Sequence, residues 1–337
     1  MELGSHDRKV LLTGAGFSRN WGGYTAADMW SRIKGDSEVQ ENHELQDLLT
    51  SESSFELALA KARDGNVSTD AAEKLEAATL RAFQSLDRQL VGAPRSGPNS
   101  INIYCVQKFL FRLFSPPETR GSIDTGYFFT LNQDLWPERF LFNEYVHHAK
   151  APILPGVSPE AGQQFFNTNC PEEYTNLLVE IDPNAAEPSF KGHRGQFNLV
   201  KLHGSFNWRV SNGSPAMVIG DKKATQISNL PLLPHYHEAF TEVLHAGAMR
   251  LMIIGYGFGD EHVNSVIASG VKEAHLKVFV WDTRPDLVEW LRSKAPNGGE
   301  ILKGLITTES RQMIEVFPPD QRVTETYDNI VQSFCGT

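Results

Sequence analysis

Cysteine is scarce in this chain: three among 337 residues, at Cys105, Cys170 and Cys335. They form no CxxC pair, which removes a zinc knuckle and a disulfide framework from consideration. Long apolar runs are missing too. None approaches the roughly 18 residues that a membrane-spanning helix needs. Residues 1–8 are polar, so no secretory leader is expected. Positive charge is in deficit, with 31 Lys and Arg against 41 Asp and Glu and a formal charge of −10. That balance speaks against a dedicated nucleic-acid surface, which needs a basic face. No internal repeat or low-complexity tract stands out. With 40% hydrophobic and 21% charged residues the make-up is that of an ordinary globular chain. It is long enough for one large or two modest domains with a substantial core. A reducing, cytoplasmic setting is expected.

What is present is a series of apolar strands that each end in small or polar residues. Val10-Leu11-Leu12 leads into Gly14-Ala15-Gly16, then Phe17 and Ser18. A buried strand that turns straight into a helix start reads this way. Glycine lets backbone amides approach an anion with no side chain between, and a helix start offers unpaired N–H groups. Phosphate is the natural ligand of such a turn. A dinucleotide fingerprint wants a third glycine where Arg19 stands, so the turn alone fits a ligand-free corner equally well. Trp21-Gly22-Gly23-Tyr24 follows as a loop that would overhang any ligand there.

Four further strands repeat the pattern. Residues 125–131 end in Asn132-Gln133-Asp134, and residues 197–202 end in His203-Gly204-Ser205. Residues 250–254 end in Gly255-Tyr256-Gly257-Phe258-Gly259, and residues 276–281 end at Asp282. Residues 313–317 read as a last strand, and Asn212-Gly213 as a hairpin turn. Helical stretches separate them. In 71–90, Leu75, Ala78, Ala82, Phe83, Leu86 and Leu90 fall near one face. Residues 101–114 are apolar nearly all round, as a buried helix would be. Residues 150–196 are proline-rich and irregular. Strands alternating with helices predict an α/β chain with a Rossmann-like open parallel sheet. Residues 1–35 and 125–337 would form the core, 36–124 a helical insertion, and 150–196 a loop-rich excursion. Such sheets bind ligands at the carboxyl ends of their strands, where all five polar clusters would converge.

Together these segments resemble the sirtuin-like (silent information regulator two) family of NAD-consuming proteins. Gly14 to Ser18 match its GAGxS, Thr130 to Asp134 its TxNxD, and Leu202 to Gly204 its LHG. Residues 255–264 look like the GYSFxDxHIN segment of a bacterial branch. The resemblance covers the sheet core and not the 36–124 and 150–196 inserts. It implies NAD as substrate, His203 as base, and Asn132 as the group that orients ribose or water. It also implies that Gly14, Ala15, Gly16, Phe17, Ser18, Thr130, Asp134, Gly255, Tyr256 and Gly257 line the nucleotide, with Ser18 a hydroxyl donor to the pyrophosphate. Asn132 and Asp134 also suit an Asx turn. Asp282 would accept from a ribose hydroxyl or cap the next helix. Asp260 and His262 read as a helix cap and first-turn pair; a metal site from Asp260, His262 and His203 is the minor alternative, and no metal is expected, since nothing shows ligand-type spacing.

Two departures narrow the expectation. No cysteine lies between His203 and Gly255, where deacylases of the family carry a zinc module. Asn20-Trp21-Gly22-Gly23-Tyr24 stands in place of their GIPDFR-type loop. Both favour water over an acyl-lysine as acceptor. The resemblance therefore points to an NAD glycohydrolase of the kind that serves as a regulated antiphage effector. It would work with a partner protein or as a homo-oligomer, contacting neighbours through 71–90 and 101–114. The competing expectations are a deacylase or ADP-ribosyl transferase, a cyclising variant, and a non-enzymatic NAD or ADP-ribose sensor.

Overall fold

Val10, Leu11 and Leu12 are each at most 1% exposed, which is how a strand covered on both faces reads. They lie in β1 (Arg8–Thr13), near the middle of a six-stranded sheet whose strands all run parallel. A computed structural model describes residues 8–95, 99–114, 126–142, 152–157, 179–181, 190, 197–220, 222–320 and 323–335. Beside β1 the sheet holds β2 (Gly126–Thr130), β4 (Phe197–Lys201), β7 (Met249–Ile254), β8 (Lys277–Trp281) and β9 (Leu305–Glu309). Its spatial order is β4-β2-β1-β7-β8-β9. Counting only these six in chain order gives 3-2-1-4-5-6, the doubly wound arrangement of a Rossmann-like fold. The order reverses between β1 and β7, and the crevice at such a switch point is where these sheets take ligands.

Neighbouring phenylalanines on β2 show how the layers form. Successive strand residues point to opposite faces. Phe128 stacks on Phe114 of α7 (Ile103–Phe114), whereas Phe129 meets Phe240, which lies in the helix Leu233–His245. Helices therefore cover both faces. α7 buries Val106, Phe109, Leu110 and Leu113 but exposes Lys108 and Arg112 one turn apart, so it is one-faced rather than apolar all round. Between β1 and α7 run α2 (Ala26–Lys34), α3 (Ser37–Gln40), α4 (His43–Ser51), α5 (Phe55–Arg63) and the long α6 (Thr69–Gly92). Side-chain oxygens start them: Thr25 and Asp28 form a capping box, and Asn42, Ser54 and Ser68 each accept from a first-turn amide. The face of α6 read from the sequence is buried as expected, against α2 and α5 within this chain. The apolar faces of α6 and α7 are thus packed within this chain.

A smaller sheet carries β3 (Val179–Ile181), β5 (Gly204–Val210) and β6 (Pro215–Met217). β5 and β6 are antiparallel around the expected turn, with the Val210 amide donating to Ser214.

The last strand differs from expectation. Residues 313–316 are helical, with Met313, Val316 and Phe317 buried at helical spacing. The strand is instead Leu305–Glu309, on the sheet edge. The loop at Trp21 to Tyr24 turns inward. Trp21 packs on Phe17, Trp136 and Phe140, and Tyr24 reaches Ser85. Of the 150–196 stretch, only 152–157, 179–181 and 190 fall among the described residues, as do none of Thr125, Pro116 and Pro117. Among the described residues no helix is long and apolar enough to cross a membrane.

Candidate functional site

At the switch point two turns interlock. The Gly16 amide donates to the Gly255 carbonyl at 2.9 Å, and the Gly14 amide to Ile254 at 3.1 Å. Gly255 sits at φ +63°, and a Cβ there would lie 2.2 Å from the Phe17 nitrogen; one on Gly16 would lie 2.9 Å from the Gly255 Cα. Backbone contact alone therefore demands these glycines. Three amides of the turn, those of Gly14, Gly16 and Phe17, are spent on backbone carbonyls. Ala15 and Gly257 are exposed at the crevice.

Behind the glycine turn the polar residues of β1 and β2 close on one another. Thr13 donates to Thr130, whose hydroxyl also accepts from the Asn132 amide. The Asn132 carboxamide donates to the Gly14 carbonyl at 3.1 Å and to the Ser18 hydroxyl at 2.6 Å. Ser18 passes its own hydrogen to Asp134 at 2.6 Å, and Asp134 accepts from the Trp136 amide. Burial pushes the Asp134 carboxyl up, against the pull of Ser18 and Lys201. As a donor to a pyrophosphate, Ser18 would have to give up Asp134. Phe17 points into the aromatic core, 4.6 Å from Trp136 between ring centres.

Lys201 extends this frame to β4. Fully buried, it donates to the Asp134 carbonyl, to Glu138 at 2.8 Å and to Ser205 at 2.9 Å. Glu138 lies in α8 (Trp136–Leu141), and its second oxygen has no partner among the described residues.

His203 stands two residues beyond β4 and is 2% exposed. Gly204 then takes φ +71°, where a Cβ would lie 2.1 Å from the Ala216 carbonyl. The chain can leave the large sheet for β5 at this point because the residue is glycine. The His203 Nε2 faces the Nε2 of His262 at 3.2 Å. His237 completes a ring of imidazoles, its centroid 5.4 Å from that of His262 and 6.5 Å from that of His203. Its Nε2 lies 2.8 Å from the Leu202 carbonyl, so that nitrogen carries the proton and Nδ1 is bare. Burial lowers His203 to about 3 and His237 to about 4, and lowers His262 too. All three are neutral bases at pH 7.

Asp260 and His262 are not a simple cap pair. Asp260 precedes the helix Glu261–Ala274, but its side chain makes no capping bond. It pairs with Lys223 at 2.6 Å, and Lys223 lies 3.3 Å from Glu56 on α5. Burial pushes Asp260 up, but its charged neighbours, the hydrogen-bonded Lys223 ammonium among them, outweigh it and hold the carboxyl low. One ligand atom each from His203, His262 and Asp260 fall within 4.8 Å of one another. No spacing in the sequence announces this cluster; three separate segments build it. The one signal was that His262 shares the 255–264 segment with Gly255 and Tyr256.

The remaining residues brace the rim. The Tyr256 hydroxyl donates to Asn264 at 2.9 Å and accepts from the Asp260 amide at 3.1 Å. Asn264 holds the Phe258 carbonyl, with Phe258 buried at φ +55°. Both Asp282 oxygens take Arg284, at 3.0 and 2.6 Å. The next helix begins at Leu287 after Asp286, so Asp282 does not cap it, and a ribose would compete with Arg284.

No family model matches the chain, and no curated protein matches it either.

Proposed function

We propose that the chain is an NAD glycohydrolase, releasing nicotinamide and ADP-ribose with water as acceptor. The observation that carries this reading is the placement of His203 and Asn132 at the carboxyl ends of neighbouring strands, β4 and β2, beside the switch-point turns. Cleavage breaks the ribose C1′–nitrogen bond, and its electron pair leaves with nicotinamide, a neutral amide. The water oxygen bonds C1′ and its proton needs an acceptor. An imidazole kept neutral is in the accepting form. Asn132 would orient ribose or water by its carboxamide, and a pyrophosphate would approach the backbone at Ala15 and Gly257. The motif resemblance supports NAD over other nucleotides, and the missing cysteines between His203 and Gly255 support water over acyl-lysine.

His203 is nearly sealed, and its Nε2 already faces His262. A closed base suits a regulated effector that waits for a trigger or partner, as the antiphage reading requires. The test is product analysis of NAD incubated for hours with concentrated protein, wild type beside His203→Ala. Nicotinamide and ADP-ribose from wild type alone are expected. NAD bound but unchanged under every trigger would favour a sensor. Loss of an acyl group from an added acyl-peptide would favour a transferase.

A further inference from the structure

The facing imidazoles do more than a single base requires. Two nitrogens held by one tetrahedral zinc at about 2.0–2.1 Å stand about 3.3 Å apart. His203 and His262 present their Nε2 atoms to each other at 3.2 Å. Asp260 brings a carboxylate within 4.8 Å of both, so closure needs a shift of about 1.5 Å or less to reach that tetrahedral edge, within reach of side-chain rotation. We infer that His203, His262 and Asp260 form a binding site for a divalent transition-metal ion of the zinc class.

The donor set selects that class. Two imidazoles suit zinc, cobalt, nickel and copper and disfavour magnesium and calcium, which take oxygen ligands. Lys223 is bound to one Asp260 oxygen, Oδ1, so it engages only one of the two carboxylate oxygens. Among the described residues the charges paired around Asp260 are Asp260, Glu56 and Lys223; counted with neutral imidazoles they sum to −1, so the ammonium does not make the site repel a cation. His237 hydrogen-bonds the Leu202 carbonyl, next to His203 in the chain, and flanks both ring ligands. Three protein ligands leave a fourth position for water. An ion held there occupies the His203 Nε2 and removes it as a proton acceptor. This consequence rests on the NAD reading; the binding does not. The ion is thus an inhibitor that locks the closed site.

The experiment is a cobalt(II) titration of chelator-stripped protein without NAD, followed by its visible d–d bands. Wild type is expected to show tetrahedral bands saturating near one ion per chain. Since even outer-shell changes cost 10–100-fold in metal affinity, removing a ligand in His262→Ala is expected to weaken binding about a hundredfold or more. Asp260→Asn, which keeps shape and fold, is expected to weaken it about tenfold or more. Absent bands in wild type, or equal affinity in wild type and both variants, would overturn the site. A second arm adds zinc(II) to an NAD assay. Loss of turnover at site-saturating zinc, restored by chelator, supports the locking role. Undiminished turnover overturns that role and leaves the NAD reading standing. If metal-free wild type turns over no NAD under every trigger, that reading fails, while the cobalt bands still decide the site.

Discussion

The cluster around Ser18, Asn132 and Asp134 and the cluster around His203, His237 and His262 occupy the same end of one sheet, yet they spend their hydrogen bonds differently. In the first, hydroxyl, carboxamide and carboxylate pass hydrogens in a closed circuit from Gly14 to Trp136. Lys201 fastens that circuit to β4. In the second, three neutral imidazoles face one another, and one ring nitrogen of His237 is bare. A closed circuit fixes a shape, because each polar group already has its partner. Spare lone pairs leave something to bind or to accept a proton. Sequence motifs name Ser18, Asn132, Asp134 and His203 in the same way; only their hydrogen bonding separates frame from chemistry.

The largest expected effect breaks the chemical side. His203→Ala should lower NAD turnover about 10³-fold or more, the scale of a lost general base, with its melting temperature within a few degrees of wild type. Turnover within tenfold of wild type would move the chemistry elsewhere. Next comes the frame. Lys201→Met leaves Glu138 buried with neither oxygen paired, which should cost about 3–5 kcal/mol in urea unfolding. A loss under about 1 kcal/mol would mean that the frame relaxes rather than holds. Ser18→Ala opens the circuit at one point and should cost about 1–3 kcal/mol, the desolvation penalty of the unpaired Asp134 oxygen.

The smallest effect sharpens the contrast through pH. His203 titrates near 3 when folded and near 6.5 when unfolded. Below pH 6.5 the unfolded chain binds a proton that the folded chain refuses, so stability falls as pH drops toward 3. Between pH 6.5 and 5.5, His203 should account for about 1 kcal/mol of that loss in chelator-treated protein. Urea midpoints measured across that range should flatten in His203→Asn. An unchanged slope would place the acid sensitivity in other groups.

The strands β1, β2, β4, β7 and β8 were legible because an apolar run followed by glycine or a polar cluster has few other meanings. The open parallel sheet followed from their alternation with helices, whereas the strand order and its switch point are seen only in the structure. β9 was not legible. On the sheet edge it keeps Ile306, Thr307 and Thr308 exposed, so its pattern is polar, while the apolar 313–317 stretch drew the strand assignment to a short helix. The histidine ring escaped for a different reason. His203, His237 and His262 lie in separate segments, and only the sheet, the crossing helix and the turn after β7 bring them together. His203 was marked by its motif, but His237 drew no assignment and His262 read as part of a helix cap pair.

β1 is made first but completed late. Its two partners begin at Gly126 and Met249, so during synthesis one side of Val10-Leu11-Leu12 stays unpaired until most of the chain exists. Long-range parallel pairing of this kind is slow, because the loop must close before the contacts reward it. The helices between β1 and β2 can fold locally meanwhile and shelter the waiting strand. A chain cut before Met249 would keep that shelter but leave the central strand as an apolar edge, open to pairing with another copy. Shortened versions of this protein should therefore collect as aggregates, and the full length should be needed to keep even its first strand soluble.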